Sequence, residues 1–243
     1  MGPRGKGNQG HSLKGAIAIT AGIMLVTMTC AAFCDDEPVR AGRTNTSGLA
    51  PVWEAIVAEA GIDVVYVNLP PKRKRRSFVE GYLTLDCCHP KIYRDTPEEQ
   101  MTHLFSDPIY YARAHYVFRK GEVVPIETGE DLRPFRVAGI RGFDYRWQDY
   151  FGVRLDGRDH TDVLNLVVKN RADIGIITGL QFRIEQATNP QLLELGGVSA
   201  EGALLASVHV SRPDLLPRLN AAIAAMKADG RLNMLLLLKE RGE

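Results

Sequence analysis

Apolar and polar positions recur along the chain with two different periods, which predict strands and helices in turn. Segment 49–60 places apolar residues at a helical spacing and is followed by Gly61, a common helix stop. The elements predicted in this first part are strands at 39–43, 62–67 and 83–88, a helix at 49–60, and a basic helix that ends at Gly81. The resulting order, β-α-β-α-β, is typical of a mostly parallel sheet.

The same order of elements returns further along the chain. The predicted elements are strands at 135–140, 153–155 and 173–177, and a helix at 162–170 that Thr161 or Asp159 could cap. In both parts a helix and a tight turn are followed by an aspartate at a strand. The two aspartates, Asp86 and Asp173, occupy corresponding places. The pattern therefore predicts two similar α/β lobes.

The carboxyl end of the chain is predicted to be helical. Ser211, with Asp214 three residues later, resembles a capping box and predicts the start of a helix that ends at Gly230. Residues 232–238 are apolar nearly all round. We expect them to form a second, buried helix.

A charge-free run of 19 residues, 15–33, follows a basic leader that carries Arg4, Lys6 and Lys14. This pattern predicts that residues 1–34 are a secretory signal peptide, cleaved after Ala32 or after Cys34. An uncleaved N-terminal membrane anchor and a lipid-modified Cys34 are the alternatives. We expect the rest of the chain to be an exported, periplasmic domain, with membrane anchoring possible only through its N-terminus.

The distribution of charged residues excludes one class of partner. The chain has 30 basic and 29 acidic side chains, and three of the basic ones lie in the leader, which leaves 27 against 29 in the remainder. Such a body lacks the positive field of a nucleic-acid-binding protein, so no nucleic-acid partner is expected. The basic run 72–76 is predicted to be a solvated helix face, with contact to anionic lipid as the alternative.

The four cysteines do not form a disulfide scaffold pattern. Cys30 and Cys34 lie in or beside the leader, and Cys87 and Cys88 are adjacent. Adjacent cysteines rarely bridge, and His89 alone does not complete a metal site. We interpret the pair as small apolar residues in a strand rather than as a redox or metal pair, and predict no metal and no cofactor.

Four segments in order resemble the family 3 periplasmic solute-binding proteins, the amino-acid-type receptors of ABC importers. They are FSDPIYYARAHYVFRKG (105–121), EDLRPFRVAGIRGFDY (130–145), NRADIGII (170–177) and SRPDLLPRLNAAIAAMKADGRLNMLL (211–236). The resemblance extends from about Leu69 to the carboxyl end.

The resemblance implies an α/β, two-lobed periplasmic binding protein-like fold of type II, in which each lobe is a mostly parallel sheet flanked by helices. Lobe one is expected at 36–117 plus 207–243, and lobe two at 118–206. The outgoing crossover is expected near 116–118 and the return near 205–210. A small polar solute would bind in the cleft between the lobes, and hinge closure would present the protein to an inner-membrane permease.

Three departures from the family pattern bear on the ligand. Glu99 stands where amino-acid receptors have the arginine that holds the ligand carboxylate, and Thr178 stands where an acidic residue often holds the ligand ammonium. The usual aromatic-rich loop is also missing between Arg43 and Leu49. A carboxylate cannot hold a carboxylate, so an α-amino acid is not the expected ligand.

Loops at the carboxyl ends of strands form ligand crevices in open α/β sheets. This rule selects nine candidate ligand-binding residues, and Arg94 is added as a possible substitute for the missing arginine. The ten candidates are Thr44, Asn45, His89, Lys91, Arg94, Arg141, Gly142, Phe143, Tyr145 and Thr178. Arg141 is either an anion clamp or a solvated loop charge. His89 is either a ligand contact or a packing residue.

Three functions fit these observations. The first is a solute receptor for an ABC importer, and the second is a sensory or accessory binding module of the same fold. Neighbouring permease and ATPase genes would favour the first, and a kinase or dehydrogenase gene the second. The third is a lyase-type enzyme, for which His89 with Arg141 is the one pairing available. We predict that the protein is not an enzyme.

Overall fold

The computed structural model describes residues 37–43 and 48–241, with side chains up to Leu236. The predicted leader, Thr44 and Asn45 lie outside this part of the chain. Within it, no helix is both long enough and apolar enough to cross a membrane. Glu37–Glu243 form one compact unit.

Strands and helices occupy nearly the places that the hydrophobic pattern predicts. The strands are β1 Val39–Gly42, β2 Val64–Val67, β3 Leu85–His89, β4 His103–Phe105, β5 Tyr110–Arg119, β6 Arg136–Ile140, β7 Val153–Gly157, β8 Ile174–Thr178 and β9 Leu193–His209. The helices are α1 Ala50–Glu59, α2 Pro71–Val79, α3 Pro97–Thr102, α4 His160–Val168, α5 Gly179–Thr188, α6 Leu215–Ala228 and α7 Arg231–Arg241.

The described strands form one continuous sheet in the order β2-β1-β3-β9-β5-β8-β6-β7, and β4 also pairs with β9. The pairs β1–β2 and β1–β3 are parallel, as are β6–β7 and β6–β8. The long strands β5 and β9 run antiparallel to each other in the middle of the sheet. The sheet therefore has two parallel halves joined by two antiparallel strands.

Each half of the sheet has its own hydrophobic core. The core of the first half contains residues of α1, α6 and α7 with Leu85, Ile109 and Ala112. In the second half, neighbouring residues of β5 enter different cores: Val117 packs with α4, whereas Tyr116 packs with aromatic residues of the 145–151 region. Successive strand side chains point to opposite faces, so this half has a core on each face. We call the two halves lobe one and lobe two.

The two middle strands cross from one lobe to the other. Ala112 packs in the core of lobe one, and Tyr116 packs in a core of lobe two. On the return strand β9, Leu193 packs in lobe two and Leu204 in lobe one. The finer limits, 36–117 plus 207–243 and 118–206, stay a prediction, because the described residues of Glu37–Glu243 form one compact unit.

Local sequence explains where the helices begin. Asp159 caps α4 through a 2.8 Å hydrogen bond that its carboxylate accepts from the Asp162 backbone N–H. This agrees with one of the two predicted caps. The predicted capping box at Ser211 is wrong: α6 begins after Asp214, and the Ser211 hydroxyl bonds Nδ1 of His209 at 2.7 Å instead. A nearby acceptor competes successfully for that hydroxyl.

Two further predictions need correction. Helix α7 is not buried all round, because Met234 is 53% exposed whereas Leu232 is buried. Cys87 and Cys88 do lie in strand β3, but they are joined by a disulfide. Their Cα atoms are 3.1 Å apart, and the peptide bond between them is cis. The interpretation as an unbridged pair is therefore wrong.

Candidate functional site

Six charged side chains meet where α2, the segment after β3 and the turn after β6 come together. We call this group the charge cluster: Lys74, Arg75, Asp86, Arg94, Glu99 and Asp144. Asp144 belongs to lobe two, and the other five belong to lobe one. The cluster therefore lies at the boundary between the lobes.

Glu99 is the buried centre of the charge cluster, with a side chain only 2% exposed. Its carboxylate accepts a hydrogen bond from Nε of Arg75 on one oxygen, and one from Nη2 of Arg75 at 2.6 Å on the other. The Thr96 hydroxyl donates a further bond of 3.2 Å. A planar guanidinium matches two carboxylate oxygens, so Glu99 fixes the orientation of Arg75.

The remaining edge of Arg75 points across the boundary. Its Nη1 donates a 2.5 Å hydrogen bond to Oδ2 of Asp144, whose side chain is 40% exposed in the turn after β6. Asp95 also lies 3.9 Å from Nη2 of Arg75, but its side chain is 77% exposed and contributes little. Arg75 thus joins a buried carboxylate of lobe one to a surface carboxylate of lobe two.

Arg94 is the second guanidinium beside Glu99. Its side chain is 13% exposed, and its Nε lies 3.7 Å from Oε1 of Glu99, too far for a hydrogen bond. That Nε–H is buried and has no acceptor among the described residues, while Nη1 donates to the Tyr93 carbonyl at 3.1 Å. Burial lowers the pKa of Arg94, and repulsion from Arg75 acts in the same direction. The site therefore contains an unused buried donor.

Lys74 and Asp86 form the other pair of the charge cluster. Their Nζ and Oδ1 atoms are 2.8 Å apart, and Asp86 is 2% exposed. His89 lies on the far side of Asp86, and its Nε2 is 2.8 Å from the Ser207 hydroxyl. Burial lowers the pKa of His89 well below its ordinary 6.5, and the positive Arg94 and Lys74 lower it further. His89 is therefore a neutral, packed side chain.

Opposing electrostatic effects act on Glu99. Burial raises its pKa, but the hydrogen bonds from Arg75 and the charges of Arg75 and Arg94 outweigh burial and hold the pKa below its ordinary value. The same hydrogen bonds raise the pKa of Arg75. Both groups are therefore charged at neutral pH.

Two uncharged contacts also join the lobes. A Cβ atom added to Gly142 would lie 3.0 Å from Cγ of Lys72, so the turn after β6 packs closely against the start of α2. Tyr93 of lobe one also lies near the backbone of Arg146 in lobe two: burial raises the pKa of Tyr93, and the Arg146 backbone acts in the opposite direction. Next to this contact, the hydroxyl of the fully buried Tyr116 has no hydrogen-bond partner among the described residues. The lobes are closed on each other through these contacts.

The predicted residues after β6 take different positions. Arg141 is exposed, and its guanidinium makes no hydrogen bond or ion pair with a described residue. Gly142 forms the turn at φ +85°, a conformation that favours glycine. Phe143 packs on a core of lobe two, and the Tyr145 hydroxyl accepts a 2.7 Å bond from the Ile140 N–H. Burial raises the pKa of Tyr145, which stabilises its neutral form.

The remaining predicted residues in the described part lie on both sides of the boundary. The Thr178 hydroxyl caps α5 by accepting from the Gln181 N–H at 3.3 Å. Lys91 is exposed, with its ammonium 5.3 Å from the centre of the Phe105 ring. Arg94 belongs to the charge cluster, and His89 borders it. Of the ten candidates, Arg94 is the one that contacts Glu99 directly in the described structure.

A separate groove of about 380 Å³ lies beside β5 and the start of α5. It is lined by Tyr110, Tyr111, Arg113, His115, Gly179, Leu180 and Arg183. None of the eight predicted residues that the structure describes lines it. Among the described residues, no group of three His, Cys, Asp or Glu side chains is placed to hold a metal ion.

Sequence reasoning missed Arg75 and Asp144. The prediction of a solvated face for residues 72–76 is right for the three exposed members but wrong for Lys74 and Arg75, which pair with buried carboxylates. One signal was present: Asp86 was predicted to lie in a strand, and a buried carboxylate requires a cationic partner. No such signal existed for Glu99, to which no element was assigned.

No protein-family model matches the chain, and no curated protein is similar to it in sequence. Solved structures do match. The GluR0 ligand-binding core from Nostoc punctiforme, in complex with L-glutamate, has a TM-score of 0.68 at 16% identity, over 84% of this chain and 99% of that one. ArgBP from T. maritima, as a mutant, has a TM-score of 0.65 at 21% identity, over 84% and 95%.

A third similar structure is the amino acid ABC transporter substrate-binding protein AbpA from Streptococcus pneumoniae, bound to L-arginine. Its TM-score is 0.68 at 14% identity, over 84% of this chain and 94% of that one. The chain therefore has the α/β, two-lobed type II fold of solute-binding proteins, as predicted. The resemblance to the family 3 amino-acid-type receptors is confirmed at the level of the fold.

Proposed function

We propose that the protein is an extracytoplasmic solute-binding protein that captures a small polar solute between its two lobes. The observation that carries the proposal is the position of Arg75, which is fixed on Glu99 in lobe one and bonded to Asp144 in lobe two. A charged donor held at a lobe boundary, in a fold that closes by hinge motion, suits reversible capture of a polar molecule.

The partner we propose is the inner-membrane permease of an ABC importer. Support comes from the fold and from similar structures, one of which is an amino acid ABC transporter substrate-binding protein. The charge-free run at 15–33 supports a periplasmic location. A sensory or accessory module of the same fold is the alternative, and the genes beside this one distinguish the two.

We propose that the protein does not catalyse a reaction on its solute. The pairing considered for a lyase was His89 with Arg141. His89 is buried with its Nε2 at 2.8 Å from Ser207, and burial lowers its pKa well below 6.5. A general base needs access to its substrate and a pKa near the working pH. The position of His89 therefore supports a binding role for the protein.

A thermal-shift screen tests the proposal. The protein, purified from the envelope fraction of expressing cells, is heated with organic acids, phosphate and sulfonate compounds, amino acids, polyamines and sugars. Any solute that binds only the native state raises the melting temperature by mass action. Hydrogen exchange then locates the site: slower exchange is expected in 91–95 and 141–146, with α6 as the internal control. Absence of any shift, or protection confined to other segments, would contradict the proposal.

A further inference from the structure

We propose that the solute carries an oxyanion and that Arg75 binds it at the place that the Asp144 carboxylate occupies in the structure. This inference rests on the proposed solute-binding function and names the chemical class of its solute. Asp144 then acts as an internal substitute for the solute. It also acts as a competitor, because its carboxylate must leave Arg75 before the solute can bind there.

The first argument is the balance of charges at the boundary. The two buried carboxylates are already neutralised, Asp86 by Lys74 at 2.8 Å and Glu99 by the paired donors of Arg75. The site therefore has no buried carboxylate left for an ammonium group. It does have a guanidinium edge, Nη1 of Arg75, whose partner is the partly exposed Asp144. Without Asp144, the charge cluster holds three cations against two carboxylates, so the vacated edge of Arg75 favours an anion.

The second argument is that Asp144 can be displaced, whereas Glu99 cannot. Glu99 is 2% exposed and receives hydrogen bonds from Arg75 and from Thr96. Asp144 is 40% exposed, and the one hydrogen bond to its carboxylate from a described residue comes from Arg75. Water can solvate Asp144 when it leaves, so its release costs far less than that of Glu99.

The third argument is the unused donor of Arg94. Its buried Nε–H lacks an acceptor among the described residues, and it lies 3.7 Å from the Glu99 oxygen that Arg75 also contacts. Two guanidinium groups thus converge beside one carboxylate. An incoming oxyanion would reduce the repulsion between them, and its several acceptor oxygens could take hydrogen bonds from more than one donor.

Competition leads to an unusual expectation for Asp144→Asn. Removing the carboxylate leaves Arg75 without its lobe-two partner, so the unliganded lobes should open and the anion should bind more tightly. Suppose that Asp144 occupies Arg75 in about nine tenths of the molecules without solute. Only about one tenth can then bind the anion, so removing the Asp144 carboxylate strengthens the apparent affinity about tenfold. Replacing a residue that contacts the solute favourably would instead weaken binding.

The experiment compares two variants and one control with the wild type. Arg75→Lys keeps a positive charge near Glu99 but loses the forked geometry, so anion affinity should fall about tenfold or more. Asp144→Asn should raise it. Asp156→Asn is the matched control, because Asp156 is 35% exposed and pairs with Arg154 at 3.0 Å within lobe two. Arg154 also donates a 2.8 Å hydrogen bond to the Phe143 carbonyl, which still holds the turn in this control.

Calorimetry with the full chain measures affinity for four kinds of oxyanion in separate arms: carboxylates, inorganic phosphate, phosphate esters and sulfonates. Polyamines, sugars and amino acids are measured for comparison. Small-angle X-ray scattering measures lobe opening without solute. We expect one oxyanion class to bind, Asp144→Asn to bind it more tightly and to have a larger radius of gyration, and Asp156→Asn to match wild type.

Three outcomes would overturn the inference. If a neutral or cationic solute binds and no oxyanion does, the solute-binding function stands and the anion assignment fails. If Asp144→Asn weakens anion binding, Asp144 is a solute contact rather than a competitor. If no class of solute binds any variant, the proposed function fails together with the inference.

Discussion

Replacement of Arg75 by glutamine should destabilise the protein far more than the same change at the next residue, Arg76. Both arginines lie on α2 and both form short ion pairs, Arg75 with Glu99 and Arg76 with Glu80 at 2.7 Å. They differ in burial. Glu99 is 2% exposed, whereas the side chains of Arg76 and Glu80 are 81% and 53% exposed.

Burial determines the expected magnitude. Removing one partner of a buried pair leaves an uncompensated charge and typically costs about 3–5 kcal/mol. Arg75 is itself 26% exposed, and Arg94 lies 3.7 Å from the same Glu99 oxygen and partly compensates for the loss. We therefore expect Arg75→Gln to lower the free energy of unfolding by about 3 kcal/mol, at the low end of that range. Arg76→Gln should have little effect, since exposed helix pairs contribute little.

Urea denaturation at pH 7, followed by far-ultraviolet circular dichroism, measures both variants. The midpoint should fall for Arg75→Gln with an unchanged slope, because the surface exposed on unfolding is the same. The double variant Arg75→Gln with Glu99→Gln should regain much of the loss, since no buried charge is left unpaired. Equal losses for Arg75→Gln and Arg76→Gln, or a double variant less stable than Arg75→Gln alone, would refute the reasoning.

Three further predictions follow from the same geometry. Burial lowers the pKa of His103 and of His160 from 6.5 to about 4, so the unfolded chain binds protons that the folded protein does not. The free energy of unfolding should thus be fully retained above pH 6.5 and should fall as the pH is lowered towards about 4; a flat urea-midpoint profile would contradict this. Arg141→Ala should weaken binding of an anionic solute by about 2 kcal/mol or more without unfolding the protein, and unchanged affinity in calorimetry would remove Arg141 from the site. Standard amino acids should bind weakly or not at all, because Thr178 caps α5 and offers no carboxylate; submicromolar affinity for any of them would disprove this expectation.

The candidate site could be predicted only in part from the sequence. The strand-end rule placed the turn at Arg141–Tyr145 near the boundary, because the carboxyl ends of parallel strands share one edge of a sheet. Arg94 was selected separately, as a possible substitute for the family's missing arginine. The same rule could not select Arg75, which lies inside a helix. Its role depends on which face of α2 turns towards Glu99, and five consecutive cations give no hydrophobic period from which to read that face.

The cysteine pair shows a second kind of limit. The sequence predicted that Cys87 and Cys88 lie in a strand as small apolar residues, and both do lie in β3. The bond between the two sulfurs is a feature of the structure that the residue types alone do not specify. The pairing of Ser211 with His209 is different, because His209 lies only two residues away and the competing acceptor is a local feature of the sequence.

What the sequence by itself determined is the order of strands and helices and the two-lobed fold that this order implies. Periodicity of 2 or 3.6 residues and glycine stops are local properties, so α1, α4 and the parallel strands could be read from neighbouring residues. Only the tertiary structure decided which charges meet. Arg75 and Asp144 are 69 residues apart, and their 2.5 Å contact exists because the two lobes close on each other. Contacts of that kind depend on the mutual placement of whole elements, and no local pattern records them.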